Sequence, residues 1–371
     1  MNGRHSGRPT LEEVAVRAGV GRGTVSRVIN GSPRVSERAK AAVEAAIAEL
    51  GYVPNRAARA LAGNRTDAIA LVIPEPETRL FAEPYFSDII RGIGAELADT
   101  DMQLLLTLIR TPKERARFAQ YLAAHRVDGV LLVSVHEDDP LPDLLEQLDM
   151  PAVLNGRRSD LESVSYVDAD NVGGARAAVA HLIERGRRRV ATITGPLDMY
   201  VARSRLDGYR QAVAEAGLGG GGGASSPGFS GPFGSSGSSG PFGSSGSSGG
   251  SSEELIAAGD FTEEGGRRAM RELLARRPDV DGVFAASDVM AAGARAVLRE
   301  EGRRVPDDVA LVGFEDSAIA RHMDPALTSV RQPTEEMGRT MARVLLEEIA
   351  ERESVRRHVV LATELVRRES V

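Results

Sequence analysis

Apolar and polar positions along the first fifty residues follow a helical period broken at short intervals. Leu11, Val14, Ala15 and Ala18 fall on one face of a helix expected over about 11–18. Thr10, with Glu13 three residues on, has the spacing that satisfies the free N–H groups of a helix start, and Gly19 supplies the residue that can leave it with positive φ. Val20 plugs the turn. Thr24, Val25, Val28 and Ile29 then give a second helical period ending at Asn30-Gly31, so two short helices joined this tightly predict a helix-turn-helix. A third helix opens at Ser36, carries Ala39, Val43, Ile47 and Leu50 on its inner face, and stops at Gly51.

Residues 55–63 are helix-forming but only about two turns long and lack a broad apolar face, so alone in water this segment is expected to be mostly unfolded. After Asp67 the pattern changes to short apolar blocks alternating with amphipathic stretches. Strands are expected at 68–74, 102–108, 129–133 and 152–155, then at 163–167, 190–194, 255–258, 283–285 and 309–314, with helices between them. A helix over 333–352 and one strand over 358–366 close the chain. Such alternation predicts parallel α/β structure, and two series of it predict two doubly wound lobes. The fold class is therefore a small all-α helix-turn-helix head plus an α/β core of two parallel-sheet lobes. The expected divisions are a head over 9–54, a hinge helix and linker over 55–66, an amino-terminal lobe over 67–165 and 328–355, and a carboxy-terminal lobe over 166–327 and 356–371. Residues 219–252 repeat PFGSSGSSG and have almost nothing to bury, so they are expected to be a disordered Gly/Ser-rich insertion. Gly217, Gly219 and Gly222 match a dinucleotide fingerprint, but trivially, since no strand immediately precedes them and no helix follows.

Charge changes the picture. The chain of 371 residues has a net charge of −7, yet residues 1–66 hold eleven basic against five acidic side chains, a net of +6 that leaves −13 on the rest. A basic head on an acidic body suggests a polyanion partner, with a merely solvated charged face as the bland alternative. Cysteine is absent, which excludes disulfides and thiolate chemistry and fits a reducing compartment. No apolar run is long enough to cross a bilayer and no secretion leader is visible, so an intracellular protein with no membrane partner is expected. There is no G-x-S-x-G elbow, phosphate loop or H-E-x-x-H. The six histidines, His5, His125, His136, His181, His322 and His358, lack ligand spacing. No catalytic residue, metal or cofactor is expected.

The run TLEEVAVRAGVGRGTVSRVINGSPRVSERAKAAVEAAIAELGYVPNRAARALAG resembles the DNA-binding head of the lactose-repressor/galactose-repressor family of bacterial transcription factors. The resemblance continues through DN-x-x-G at Asp170, RL-x-GY at Arg205, GDFT at Gly259, SDVMAAGA at Ser287, VPDDVALVGFED at Val305 and PALTSVRQP at Pro325. It implies a recognition helix in the major groove, with Arg22, Gly23 and Arg27 at the base-reading positions. Arg can grip guanine with two hydrogen bonds, whereas Gly23 has no side chain to read with. Thr24, Ser26, Asn30 and Ser36 correspond to phosphate contacts. Asn55, Arg56, Arg59 and Leu61 fall in a hinge helix whose leucine wedges into the minor groove. The body by this resemblance is a periplasmic-binding-protein-like core with a ligand cleft between its lobes. There Phe86 and Phe261 are ring-stacking walls, Arg205 a donor, and Ser287, Asp288 and Glu315 polar groups, a set suited to a sugar's apolar faces and hydroxyl rim. Residue by residue the bland readings are core packing for Phe86, a helix cap for Ser287 with Asp288, and plain ion pairing for Arg205. Most family members have Asp where Glu315 stands, and the purine-binding branch has polar residues where Met199 and Val201 stand, which argues against a purine. The function implied is a repressor whose affinity for a near-palindromic double-stranded operator is set by a small carbohydrate effector, acting as a homodimer in the cytoplasm. A solute-binding receptor and an α/β enzyme are the other classes considered.

Replacing 219–252 with a short turn should leave the melting transition and operator binding in place, because loop closure depends only weakly on length. Loss of either in the deletion variant would overturn the insertion reading.

Overall fold

A computed structural model describes residues 9–29, 32, 34–52, 65–218, 252–351 and 355–371. In the head, α1 (Leu11–Ala18), α2 (Arg22–Ile29) and α3 (Glu37–Leu50) form at the expected places. Thr10 Oγ1 accepts from the Glu13 N–H at 3.3 Å while the Glu13 carboxylate accepts from the Thr10 N–H at 2.7 Å, a reciprocal cap. Ser36 caps α3 by accepting from the Ala39 N–H, and Gly19 and Gly51 end their helices at φ 66° and 62°. Val14, Ala15, Val25, Val43, Ala46 and Tyr52 are buried together as the head's core. Asn30, Asn55, Arg56, Arg59 and Leu61, with the hinge segment that holds the last four and residues 219–251, lie outside the described residues.

The body contains two six-stranded sheets. The first comprises β1 (Ala68–Ile73), β2 (Gln103–Leu108), β3 (Gly129–Leu132), β4 (Ala152–Asn155), β5 (Ser165–Ala169) and β11 (His358–Leu361), in the order β11-β5-β4-β3-β1-β2. The second comprises β6 (Val190–Thr194), β7 (Ile256–Ala258), β8 (Gly282–Ala285), β9 (Ala310–Glu315), β10 (Thr328–Arg331) and β12 (Glu364–Val366), in the order β12-β10-β9-β8-β6-β7. Its pairs are parallel except β10 with β12.

The helices of the body are α4 (Glu77–Ala82), α5 (Pro84–Leu97), α6 (Pro112–Ala123), α7 (Leu141–Gln147), α8 (Asn171–Glu184), α9 (Tyr200–Glu215), α10 (Glu263–Arg276), α11 (Asp288–Glu300), α12 (Ala318–His322) and α13 (Thr334–Ala350). Along β9, Leu311 packs with Met270, Met290 and Val297 of α10 and α11, while Val312 and Phe314 pack with Val179 and Tyr209 of α8 and α9. Alternate residues thus bury opposite faces of the sheet, which is why this strand reads as continuously apolar. In the first lobe Ile69, Leu71 and Ile73 of β1 meet Phe86, Ile89 and Ile93 of α5 and Met341 and Leu345 of α13.

The lobe boundaries differ from expectation. β5 pairs with β4 in the first sheet, whereas the division at 165/166 gave it to the second lobe. β10 pairs with β9 in the second sheet, not in the amino-terminal lobe to which 328–355 was given. The expected single strand over 358–366 is two, β11 beside β5 and β12 beside β10, so 356–371 serves both sheets. Apolar patterning records that a strand is buried; only backbone pairing decides which sheet takes it. The chain therefore crosses between lobes after β5, after β10 and between β11 and β12. The short helices α4 and α12, too brief for a periodic signal, were not anticipated.

Helices α5 and α13 approach closely through glycines. A Cβ on Gly92 would run into the Glu335 carbonyl and one on Gly338 into that of Ile89, both rigid backbone. Gly338→Val should destabilise the fold by about 1–3 kcal/mol through overpacking. Gly94→Ala, on the open side of α5 where a Cβ meets nothing within 4 Å, should stabilise it by about 0.5–1 kcal/mol. Chemical denaturation of the two variants checks the pair, and equal effects would refute the close-packing account.

Candidate functional site

Between the lobes lies a cleft, built at the carboxyl ends of the parallel strands. Of the residues expected there, Phe86, Phe261, Arg205 and Glu315 line it. Phe86 is also part of the first lobe's core, 1% exposed and edge-on to Tyr85 at 5.4 Å between ring centroids. Phe261 stands in the left-handed region at φ 64°, with its ring against Gly195, where any Cβ would collide with it.

Arg205 is 3% exposed and three of its five N–H groups already have protein acceptors. Its Nε donates to Asn171 Oδ1 at 2.9 Å, Nη1 to the Ala286 carbonyl at 2.6 Å and Nη2 to Gln332 Oε1 at 2.8 Å. The guanidinium lies over the Phe314 ring at 3.7 Å, and Glu315 stands 3.9 Å from Nη1. Burial lowers its pKa despite that carboxylate, and the same burial holds the Glu315 carboxyl well above the usual range. Ion pairing is thus only part of its environment.

Ser287 and Asp288 do not line the cleft. Ser287 caps α11 by accepting from the Met290 N–H at 3.2 Å. Asp288 is completely buried; one carboxylate oxygen accepts from Ser329 Oγ at 2.6 Å and the other from the Ser317 N–H at 2.7 Å. Burial pushes its pKa up to about 6. Ser287 spends its hydroxyl on the start of α11, and Asp288 fixes the corner after β9 to β10, so both shape the site without facing it.

The remaining lining includes strand ends, loops and helix starts that were not among the expected contacts. From the first lobe come Arg79, Glu83, Tyr85, Asn155, Arg157 and Asp168, and from the second Asn171, Met199 and Val201, with Gln332 at a crossover. Arg79 donates from Nη1 to Glu75 and from Nε to Glu83, each at 2.6 Å, and lies 5.3 Å over the Phe261 ring of the opposite lobe. Burial raises Glu83 to about 7 even beside Arg79, so near neutrality its carboxyl can both donate and accept. Arg157 stands 3.4 Å from Asp168 and 4.6 Å over the Tyr200 ring. The cleft therefore presents aromatic faces between matched guanidiniums and carboxylates, suited to a neutral polyhydroxylated ligand with an apolar face. Among the described residues no group of three or more His, Cys, Asp or Glu could hold a metal, and no helix is long and apolar enough to cross a membrane.

In the head, Arg22, Gly23 and Arg27 are exposed on α2, with Thr24 and Ser26 half-buried behind them and Ser36 exposed at the start of α3. Arg22 pairs with Glu12 at 2.9 Å and Arg27 Nε donates to the Gly23 carbonyl at 3.0 Å, both on the surface. Such exposed contacts are weak, so either guanidinium can leave for another acceptor.

Comparison with known proteins matches residues 10–55 to "Bacterial regulatory proteins, lacI family". Residues 66–220 match "Periplasmic binding proteins and sugar binding domain of LacI family", and 245–371 match "Periplasmic binding protein-like domain". The transcriptional regulator CelR of Thermobifida fusca is 50% identical over 98% of both chains. A solved CelR–cellobiose complex is 48% identical, covers 98% of this chain and 100% of its own, and superposes with a TM-score of 0.72. The lac repressor dimer bound to operator and the anti-inducer ONPF is 25% identical over 98% and 99%, with a TM-score of 0.78.

A Cβ on Gly23 would meet only Arg27 Nη2, at 3.9 Å, so the bare position is not forced by packing. Gly23→Ala should stabilise the head's helix by about 1 kcal/mol and leave its fold unchanged. It should change preference at a single base pair per half-site, measurable by binding to a randomised operator set. A uniform change across all sequences would remove this position from base reading.

Proposed function

Because the chain belongs to the lacI family of bacterial regulatory proteins, we propose that it is a repressor whose hold on a near-palindromic operator is controlled by a cellobiose-type gluco-disaccharide bound between the lobes. It is a DNA-binding transcriptional regulator; the effector class, the repressing sense and the residues in contact are the proposal. The observation that carries it is the cleft itself, lined by the rings of Phe261 and Phe86 together with the polar groups of Arg79, Arg205, Glu83 and Glu315. A pyranose has the complementary surface, C–H faces and a hydroxyl rim, and the 48% identical relative is a complex with cellobiose. Guanidiniums in the cleft face carboxylates at close range, which disfavours a phosphorylated or acidic sugar that would have to displace them. A head that reads one half-site needs a second copy, so the working form is a homodimer in the cytoplasm, with Arg22, Gly23 and Arg27 reading bases and Thr24, Ser26 and Ser36 holding phosphates. Asn30, Asn55, Arg56, Arg59 and Leu61 complete that interface in the proposal. An enzyme or an uptake receptor would leave the basic head without a purpose.

Cellobiose should raise the melting temperature, and it should change operator affinity by the same factor that operator changes cellobiose affinity. Absence of any thermal response to gluco-disaccharides would overturn the effector class. Arg205→Ala should abolish the response and also lower stability by about 3–5 kcal/mol, because it strips the buried Asn171, Gln332 and Glu315 groups of their shared partner. Calorimetry with cellobiose and a urea titration of this variant check both halves. Normal stability with a lost response would show that the hydrogen bonds to Asn171 and Gln332 contribute little to the fold.

A further inference from the structure

On one rim of the cleft the two lobes are joined by residues that the ligand cavity does not use. His136, after β3 in the first lobe, has Nδ1 2.7 Å from Asp198 Oδ2, after β6 in the second, and Nε2 3.4 Å from Glu75 Oε1 of its own lobe. Beside it the Glu137 N–H donates to the Asp198 carbonyl at 2.8 Å, and Arg203 of α9 donates to Glu137 at 2.7 Å and to the Arg158 carbonyl at 2.9 Å.

We infer that His136 is a proton-dependent clasp that holds the lobes closed over the effector, so that protonation of one imidazole regulates ligand retention. The geometry carries this, because both ring nitrogens face carboxylates. A neutral imidazole has one N–H and can satisfy only one of them, leaving the other lone pair against a negative oxygen. The imidazolium donates to both and ties Asp198 across the cleft to Glu75. Glu75 is anchored independently by Ser134 Oγ and Arg79 Nη1, each at 2.6 Å, so the pull on Asp198 acts between the lobes. The charged groups around the ring are Glu75 and Asp198 in contact, Arg79 behind Glu75, and the Glu137–Arg203 pair beside Asp198. The hydrogen bond to Glu75, followed by that to Asp198, lifts His136 to about 9 when the lobes are closed, against 6.5 for the free side chain. Glu75 belongs to the same lobe as His136 and stays beside it on opening, so only Asp198's share of this rise depends on closure; closure has this support while the imidazole is protonated and loses it as pH rises through about 9. The effector in this scheme rests on the reading above; the clasp itself does not.

The test uses the full chain, which has no cysteine, with nitroxides on Leu161→Cys and Glu264→Cys, exposed positions on opposite lobes, and excess unlabelled chain to dilute partners. Without ligand, the closed fraction in electron paramagnetic distance distributions should fall severalfold between about pH 7 and about pH 10. In His136→Gln it should be low and flat over that range. Asp198→Asn, made on the other lobe at a 56% exposed side chain, should reproduce the effect and excludes a local folding defect. Cellobiose affinity should follow the closed fraction. A pH shift in the ligand-free distances without cellobiose binding would support the clasp and reject the disaccharide. Unchanged distance distributions in His136→Gln at every pH would overturn the clasp.

Discussion

The body is organised around a buried guanidinium. Arg205 reaches from α9 to Asn171, the first residue after the β5 crossover, and to Gln332, the first after β10, while its third donor holds the Ala286 carbonyl beyond β8. One side chain thus joins two of the three interlobe passages to the end of the second sheet. A buried cation is tolerated only when its donors are satisfied, and here an amide oxygen, a carbonyl and a second amide oxygen do so with the Phe314 face beneath. Removing it would leave those acceptors buried without a donor, so a residue that lines the cleft also holds the crossings between the lobes together.

Part of the molecule's backbone strain lies at the same place. Ser134, Phe261, Glu315 and Asp316 have positive φ without being glycine, and Ser134, Phe261 and Glu315 line the cleft. Such backbone costs of order 1–3 kcal/mol per residue and persists only where neighbours impose it. The neighbours are visible: Glu75 grips Ser134, Arg331 and Arg368 grip Asp316 at 2.8 and 2.5 Å, and the buried Asp288 pins Ser317. Asp288 and Ser287 therefore contribute geometry where direct contact was expected of them.

What the sequence discloses follows from how local the governing force is. The capping box at Thr10 and Glu13, the left-handed glycines at 19 and 51 and the head's apolar faces are decided within a few residues, and they are legible. Buried parallel strands are legible for the same reason. Allocation of β5, β10 and β11 to sheets is a long-range pairing choice that apolar pattern does not encode. Phe86, Phe261, Arg205 and Glu315 were reached through motif resemblance. Arg79, Glu83 and Arg157 lie in stretches without a motif and become a site only when two lobes bring strand ends together. His136 had no partner at sequence spacing because Glu75 and Asp198 arrive from 61 and 62 residues away.

Glu75 is the point at which cleft and rim communicate. Its Oε1 receives Ser134, Arg79 and His136 together, and Arg79 in turn forms part of the cavity wall against Phe261. The charge of one carboxylate is divided among these donors, and burial makes each share worth more than it would be in water. A ligand oxygen that draws Arg79 toward the cavity leaves more of that charge facing the imidazole, and under the clasp proposed above this favours the protonated ring, the form that can also donate to Asp198. Under that proposal ligand contact and lobe closure are coupled through this single oxygen, and such coupling must run both ways.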